Sequence, residues 1–200
     1  MRWLNLLFAL SLFCTIPASA QTPGQFSGNA VLEFIADGQA RLRSNLSYRD
    51  PGGRLWAAPA GIVVDGASIP RILWTAIGSP FTGNYLRASV IHDFYCDRKT
   101  RPWQEVHRVF FDAMISGGVP RLQANIMYFA VRAFGPRWVL RTERVPGRNF
   151  SGEAAMVERS VVVDLPSQPY DAARMEDAQR RIQASDLTPE QIEALADSPS

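Results

Sequence analysis

Residues 85–97 read YLRASVIHDFYCD and residues 102–118 read PWQEVHRVFFDAMISGG, and these two stretches decide the fold. Apolar side chains recur at helical spacing in both, and neither interior contains glycine or proline. Pro102 suits a first helical turn, and Gly117 and Gly118 end the second stretch. The sequence therefore predicts two helices joined by a short turn, which makes them an antiparallel pair.

The segments on either side of this pair extend the same interpretation. Pro120 begins a third helical stretch that Gly135 ends. Upstream, Asp37-Gly38 is typical of a two-residue hairpin turn, and a short helical stripe runs from Ile72 to Ile77. Strands are predicted at residues 30–36, 40–48, 55–56 and 61–64. The predicted fold class is α+β: a small N-terminal antiparallel sheet followed by a three-helix core that contains an antiparallel helix pair.

The first twenty residues have the pattern of a signal peptide. A short positive start, Met1-Arg2, precedes an apolar run from Trp3 to Ile16 and the small-residue site Pro17-Ala18-Ser19-Ala20. The alternative is an uncleaved membrane anchor, which is disfavoured because the apolar run is shorter than the ~20 residues that a membrane span needs. No transmembrane segment is expected after cleavage. We expect a periplasmic or secreted protein whose one remaining cysteine, Cys96, has no internal disulfide partner.

Composition and charge define the predicted domains. With 200 residues, 46% of them hydrophobic, the chain suits one main α+β domain at residues 21–150. Residues 21–150 carry sixteen Arg and Lys against nine Asp and Glu, whereas residues 151–200 carry four against ten. Residues 151–200 are expected to form an acidic, partly disordered tail with a short helix, dispensable for folding and able to lie against the arginine-rich body.

The arginine-rich body also indicates the class of partner. All but one of its basic residues are arginine, whose planar guanidinium suits phosphate and carboxylate groups. Lipid or another anionic small molecule is the expected partner. No basic run or nucleic-acid motif occurs, so no nucleic-acid partner is expected.

Two histidines and two aspartates are the candidate site residues. His92 and His107 each lie five residues from the turn between the paired helices, so they are expected to sit level with each other. Asp93 follows His92, and Asp65 stands in the loop that follows a predicted strand. The carboxylates of Asp65 and Asp93, with a loop carbonyl, form a candidate hard-cation site, with calcium as the expected ion. Alternatively, Asp65 only caps its turn and Ser68 only caps the short helix that follows.

Several of these motifs together resemble a bacterial and phage family, domain of unknown function 1353. The resemblance covers roughly residues 30–140 and implies no defined activity. In that family an aspartate is usual where this chain has His107. The resemblance rests on Val64-Asp65-Gly66-Ala67-Ser68-Ile69-Pro70, Leu86-Arg87-Ala88, Ile91-His92-Asp93-Phe94-Tyr95, Val119-Pro120-Arg121, Met127-Tyr128, Val131-Arg132 and Phe134-Gly135.

A more distant resemblance is to bacterial-type secreted phospholipase A-two. It rests on an acidic loop followed by a His-Asp pair, here Asp65-Gly66-Ala67-Ser68 and His92-Asp93-Phe94, with Phe110 and Phe111 on the second helix. The resemblance implies that His92 activates water while Asp93 binds calcium. The chain departs from that class in lacking disulfides and in having His107 where a carboxylate would orient the base.

These residues leave several hypotheses open. The first is a metal-dependent hydrolase in which His92 and His107 are catalytic and Asp65 and Asp93 bind the metal. In a variant of it, zinc is held by His92 and His107 with Asp93 or Asp65. The second is a non-enzymatic envelope or host-interaction module in which the same residues are structural. Cys96, one turn after His92, has the spacing for a Cys-His dyad, but a buried packing role is the simpler interpretation.

Overall fold

The computed structural model describes residues 23–35, 39–64, 83–148 and 150–198. Within these ranges the chain forms short strands, then a helical core, then a long hairpin and two further helices. The strands are β1 Gln25–Ser27, β2 Leu32–Phe34, β3 Ala40–Leu42, β4 Leu46–Arg49, β5 Leu55–Ala58, β6 Val63–Val64, β7 Arg137–Arg148 and β8 Ala154–Leu165. The helices are α1 Leu86–Arg98, α2 Trp103–Ser116, α3 Arg121–Phe134, α4 Ala172–Ala184 and α5 Pro189–Asp197.

The N-terminal strands form two small antiparallel sheets. Their strand orders are β1-β4-β5 and β2-β3-β6. β2 pairs with β3 as the predicted hairpin requires, while the turn residues 36–38 lie outside the described residues. The segment predicted as one strand, residues 40–48, is two strands in different sheets. The chain changes sheet at Ser44 and Asn45, whose side chains bond to the Asn29 carbonyl and the Ala60 amide instead of facing alternate sides of a strand.

The helical core agrees closely with the sequence prediction. α1 ends where Lys99 takes a left-handed conformation, with φ of 51°, and its backbone N–H bonds to the Tyr95 carbonyl. α2 and α3 begin directly after Pro102 and Pro120. α1 packs on α2, and α2 packs on α3, around a core in which Ile91, Phe110 and Phe129 are almost fully buried. The structure confirms the α+β class, with small antiparallel sheets followed by helices.

Residues 151–198 form a strand and two helices, more regular structure than their composition suggests. β8 pairs with β7 along the whole of both strands, and α4 and α5 pack against α3. The apolar residues of α4 and α5 are few, but they recur every three to four positions and form one buried stripe on each helix. The low average hydropathy of the segment conceals this pattern. The buried residues are Met175, Ala178 and Ile182 in α4, and Ile192 and Ala196 in α5.

Acidic side chains of this C-terminal segment lie against the basic body, as the charge asymmetry predicts. Each of three arginines on α2 and α3 pairs with a carboxylate of the last fifteen residues, and these pairs are Arg108–Glu190, Arg121–Asp186 and Arg132–Asp197. The short helix predicted after Thr188 is α5, and Thr188 and Gln191 form its capping box.

Some expectations fall on other parts of the chain. The signal peptide at residues 1–20, the helical stripe from Ile72 to Ile77 and the acidic loop at Asp65 all lie outside the described residues. Among the helices that the structure describes, none is long and apolar enough to cross a membrane.

Candidate functional site

The two histidines meet at the interface between α1 and α2. Nε2 of His92 lies 2.8 Å from Nδ1 of His107, so the prediction that the two residues sit level is confirmed. Both side chains are fully buried. Buried polar groups are costly unless they are hydrogen-bonded, and this contact gives each of the two buried nitrogens a partner.

The second ring nitrogen of His107 fixes its tautomer. Nε2 of His107 lies 3.1 Å from the carbonyl oxygen of Pro136, which can only accept a hydrogen bond. Nε2 therefore carries the proton, and Nδ1 presents its lone pair to His92. Metal-binding histidines use the same arrangement, in which a carbonyl oxygen accepts the N–H of the nitrogen that does not bind the metal.

Cys96 completes a group of three donor atoms. It lies one helical turn after His92, is 4% exposed, and places its Sγ 3.6 Å from Nε2 of His92. The donor atoms of His92, Cys96 and His107 all lie within 4.8 Å of one another. In a tetrahedral zinc site with ordinary bond lengths, nitrogen and sulfur ligands are about 3.6 Å apart. The group can hold a metal ion.

Burial determines the charge state of the two imidazoles. It lowers the pKa of His92 to about 3. Burial also lowers the pKa of His107 well below its usual value, and His92, Arg132 and Arg137 act in the same direction. Both rings are therefore neutral at pH 7, which is the form that binds metals. A histidine with so low a pKa is a weak general base at neutral pH, so the geometry favours metal binding over base catalysis.

Aromatic rings and a glycine enclose the histidines. The ring of His92 lies 4.7 Å from that of Phe110, and the ring of His107 lies 5.4 Å from that of Trp103. A side chain on Gly135 would bring its Cβ to 3.2 Å from Cε1 of His107 and 2.3 Å from the carbonyl oxygen of Val131. Gly135 was expected only as a helix stop, but the structure shows that its missing side chain avoids a clash with the Val131 carbonyl and leaves space beside His107.

The other predicted site residues are placed differently. Asp93 is 6% exposed on α1, yet its carboxylate is not part of the donor group that the described residues form. Asp65 lies outside the described residues, so the pairing of Asp65 with Asp93 around calcium stays a prediction. Sequence reasoning did not identify Cys96 as a donor, although its i, i+4 spacing from His92 was the available signal.

Comparisons with known proteins agree with the resemblance found in the motifs. Residues 40–131 match a family model described as "Protein of unknown function (DUF1353)". Two proteins of Sinorhizobium fredii (strain NBRC 101917 / NGR234) are similar to this chain. Uncharacterized protein y4jT is 45% identical over 131 residues, 64% of this chain and 39% of that protein. Uncharacterized protein y4iH is 46% identical over 97 residues, 48% of this chain and 41% of that protein.

These matches have a defined extent. The chain covers 39% and 41% of the lengths of the two relatives. No solved structure matches the chain significantly. The family resemblance is confirmed, whereas the likeness to phospholipase A-two is not.

Proposed function

We propose that residues 40–131, the DUF1353 domain of this chain, are a metal-binding domain in which His92, Cys96 and His107 hold a zinc-class ion between α1 and α2. The observation that carries the proposal is the convergence of three donor atoms within 4.8 Å at a buried helix interface. The bound ion would join two helices through three bonds that the unfolded chain does not provide.

The donor set favours zinc or a similar transition metal over calcium. Two imidazole nitrogens and one sulfur suit borderline and soft ions, whereas calcium takes six to eight oxygen ligands. Binding requires a neutral imidazole at both histidines and a thiolate at Cys96. Low histidine pKa values meet the first requirement, and the ion itself lowers the pKa of a coordinating thiol.

A structural role for the ion is the main proposal, and it corresponds to the non-enzymatic alternative. All three donor residues are buried, with Cys96 at 4% exposure and both histidines at 0%.

We further propose that the protein is exported to the periplasm or secreted after loss of residues 1–20. An exported chain with one remaining cysteine has no internal disulfide, and a structural metal supplies a comparable link between distant residues.

A metal-dependent hydrolase is the second candidate. It is favoured by the number of donors, because three protein ligands leave the fourth tetrahedral position of zinc for water, whose pKa the ion lowers to about 7. The arginine-rich body would suit lipid or another anionic small molecule as substrate. Asp93 follows His92 in the sequence and is buried. In this hypothesis its carboxylate would orient the attacking water.

The test is metal-dependent stabilisation of the mature protein. Chelator-treated wild type should gain thermal stability when zinc is added, and Cys96→Ala and His107→Gln should lose most of that gain. Asp97→Asn, which replaces an exposed acidic residue on the same helix, should respond to zinc as wild type does. The proposal is wrong if wild type gains no stability with zinc, cobalt or manganese.

One further variant separates the two candidates. Asp93→Asn keeps zinc binding under both hypotheses. Hydrolysis of anionic phospholipid vesicles by zinc-loaded wild type, lost in Asp93→Asn, would support the hydrolase. Zinc-dependent stability with no hydrolysis by wild type supports the structural role.

A further inference from the structure

Arg132 of α3 is a buried cation that reaches the C-terminal helix. It is 7% exposed. Its Nε lies 3.1 Å from Oδ1 of Asp197, and its Nη2 lies 2.5 Å from Oδ2. This two-point pairing fixes the plane of the guanidinium as well as its charge.

The same guanidinium lies over Trp103, at the start of α2. Its central carbon is 4.6 Å from the centroid of the Trp103 ring, and that of Arg137 is 4.8 Å from it. Nη2 of Arg137 also donates to the Arg132 carbonyl at 2.7 Å. The two arginines therefore hold the indole ring by cation–π contacts in a largely desolvated position.

Trp103 is in turn a direct neighbour of His107. The two rings are 5.4 Å apart and inclined at 65°, an edge-to-face contact. The proton-bearing Nε2 of His107 is bonded to Pro136, the residue before Arg137. The ring of His107 is thus contacted by Trp103 and by the chain segment that leads into Arg137.

We infer that Asp197 is a positioning residue for the metal site: through Arg132 and Trp103 it holds the His107 ring in the orientation that presents Nδ1 to the ion. The inference rests on the proposed function and names a residue outside the ligand set that positions one of the ligands. Each side chain in this series contacts the next one in space. A change at Asp197 can therefore alter the orientation of His107 without removing a metal ligand.

The residues that support His107 from outside the ligand set lie mostly after the family match. Residues 40–131 include all three metal ligands and Trp103, whereas Arg132, Arg137 and Asp197 follow them. The C-terminal helix α5 therefore supports a site whose ligands belong entirely to the DUF1353 domain. Metal affinity should therefore depend on whether α5 packs against α3.

Asp197→Asn is the direct test, because it weakens the pairing with Arg132 and leaves every ligand in place. Zinc affinity is measured by competition with a chromophoric chelator, at a temperature where circular dichroism shows the variant folded. We expect affinity about threefold to tenfold lower than wild type, within the range of long-range coupling in proteins. The visible bands of the Co²⁺ form should also shift, which a purely structural role would not cause.

Matched variants provide the controls. Asp186→Asn removes the exposed pair with Arg121 in the same C-terminal segment and should leave zinc affinity and Co²⁺ bands unchanged. Asp197→Glu keeps the carboxylate and should restore most of the affinity. If Asp197→Asn does not fold, Arg132→Lys provides the same test, because it keeps the charge but loses the two-point pairing and the planar stack.

The outcomes separate this inference from the proposed function. Wild type that binds no zinc overturns both. Wild type that binds zinc, with Asp197→Asn equal to Asp186→Asn in affinity and spectrum, overturns the positioning role alone, even if Asp197→Asn melts at a lower temperature.

Discussion

Nε2 of His92 and Nδ1 of His107 lie 2.8 Å apart across the interface of two helices. At this distance one hydrogen bond joins the rings, with His92 donating and His107 accepting. Nitrogen ligands of tetrahedral zinc are about 3.3 Å apart, so an ion would need the rings to separate by roughly 0.5 Å. The same pair can therefore be a hydrogen bond without metal and two ligands with it.

Acid should destabilise the metal-free protein. Both histidine pKa values are lower in the folded state, about 3 for His92, than the ~6.5 of an unfolded chain. Below pH 6.5 the unfolded state therefore binds more protons, and the free energy of unfolding falls as the pH drops toward the folded-state pKa. We expect an average loss of about 1.1 kcal/mol per pH unit for each histidine in urea melts between pH 6.5 and pH 5.

A single-histidine variant is the control for this pH effect. His107→Gln removes one titrating group and should show about half the wild-type slope over the same range. Equal unfolding free energies for wild type at pH 7.5 and pH 5 would contradict the buried, neutral state of the pair.

Gly135→Ala should disturb the site from outside it. The added Cβ would lie 2.3 Å from the Val131 carbonyl and 3.2 Å from His107, so the backbone after α3 must shift. We expect a loss of about 1–3 kcal/mol in unfolding free energy, together with weaker zinc binding. Gly52→Ala, where the nearest atom is an Asp50 oxygen at 3.3 Å and no backbone atom lies within 4 Å, is the control. A Gly135→Ala protein as stable as Gly52→Ala would contradict the close approach of Gly135 to the Val131 carbonyl and to the His107 ring.

Ile192→Ala tests whether the C-terminal segment belongs to the core. Ile192 is fully buried on α5, so removing its side chain should cost about 2–5 kcal/mol in chemical denaturation. Leu122→Ala, at a position that is 47% exposed, should change stability by less than about 0.5 kcal/mol. If both variants are equally mild, residues 151–200 are the dispensable tail that their composition predicts.

Tyr128→Phe tests the polar contact between α3 and α5. The Tyr128 hydroxyl is buried and donates to Oε1 of Glu193 at 2.6 Å, and both burial and Glu193 raise the pKa of Tyr128. Losing a hydrogen bond to a charged acceptor should cost about 1.5–3 kcal/mol in unfolding free energy. A double-mutant cycle with Glu193→Gln should give a coupling of about 1 kcal/mol or more, and additive effects would exclude a direct bond.

The helical core was predictable because its signals are local. Pro102, Pro120 and Gly135 mark helix ends by their own backbone chemistry, and counting from the turn places His92 opposite His107. Such features need only the helical repeat and the length of the connection. The strands were harder, because the change of sheet at Asn45 depends on a hydrogen bond to Ala60, fifteen residues away.

The site was only half predictable for a related reason. The level histidines follow from spacing, but the choice of third donor depends on which face of α1 meets α2. Cys96 and Asp93 are four and one residues from His92, and only the packed helices show that the sulfur joins the histidines. Arg132 and Asp197, 65 residues apart, meet through tertiary packing that no local pattern encodes.

Titration of the chelator-treated protein with Co²⁺, followed by visible and near-ultraviolet absorption, tests the metal site most directly. Cobalt replaces zinc in such sites, and a bound thiolate adds a charge-transfer band that nitrogen and oxygen ligands do not give. We predict that wild type shows saturable bands of a four-coordinate site with this thiolate band at one equivalent, that Cys96→Ala loses the thiolate band, and that zinc displaces the cobalt. Wild type with no saturable bands, or with the thiolate band unchanged in Cys96→Ala, would contradict the account.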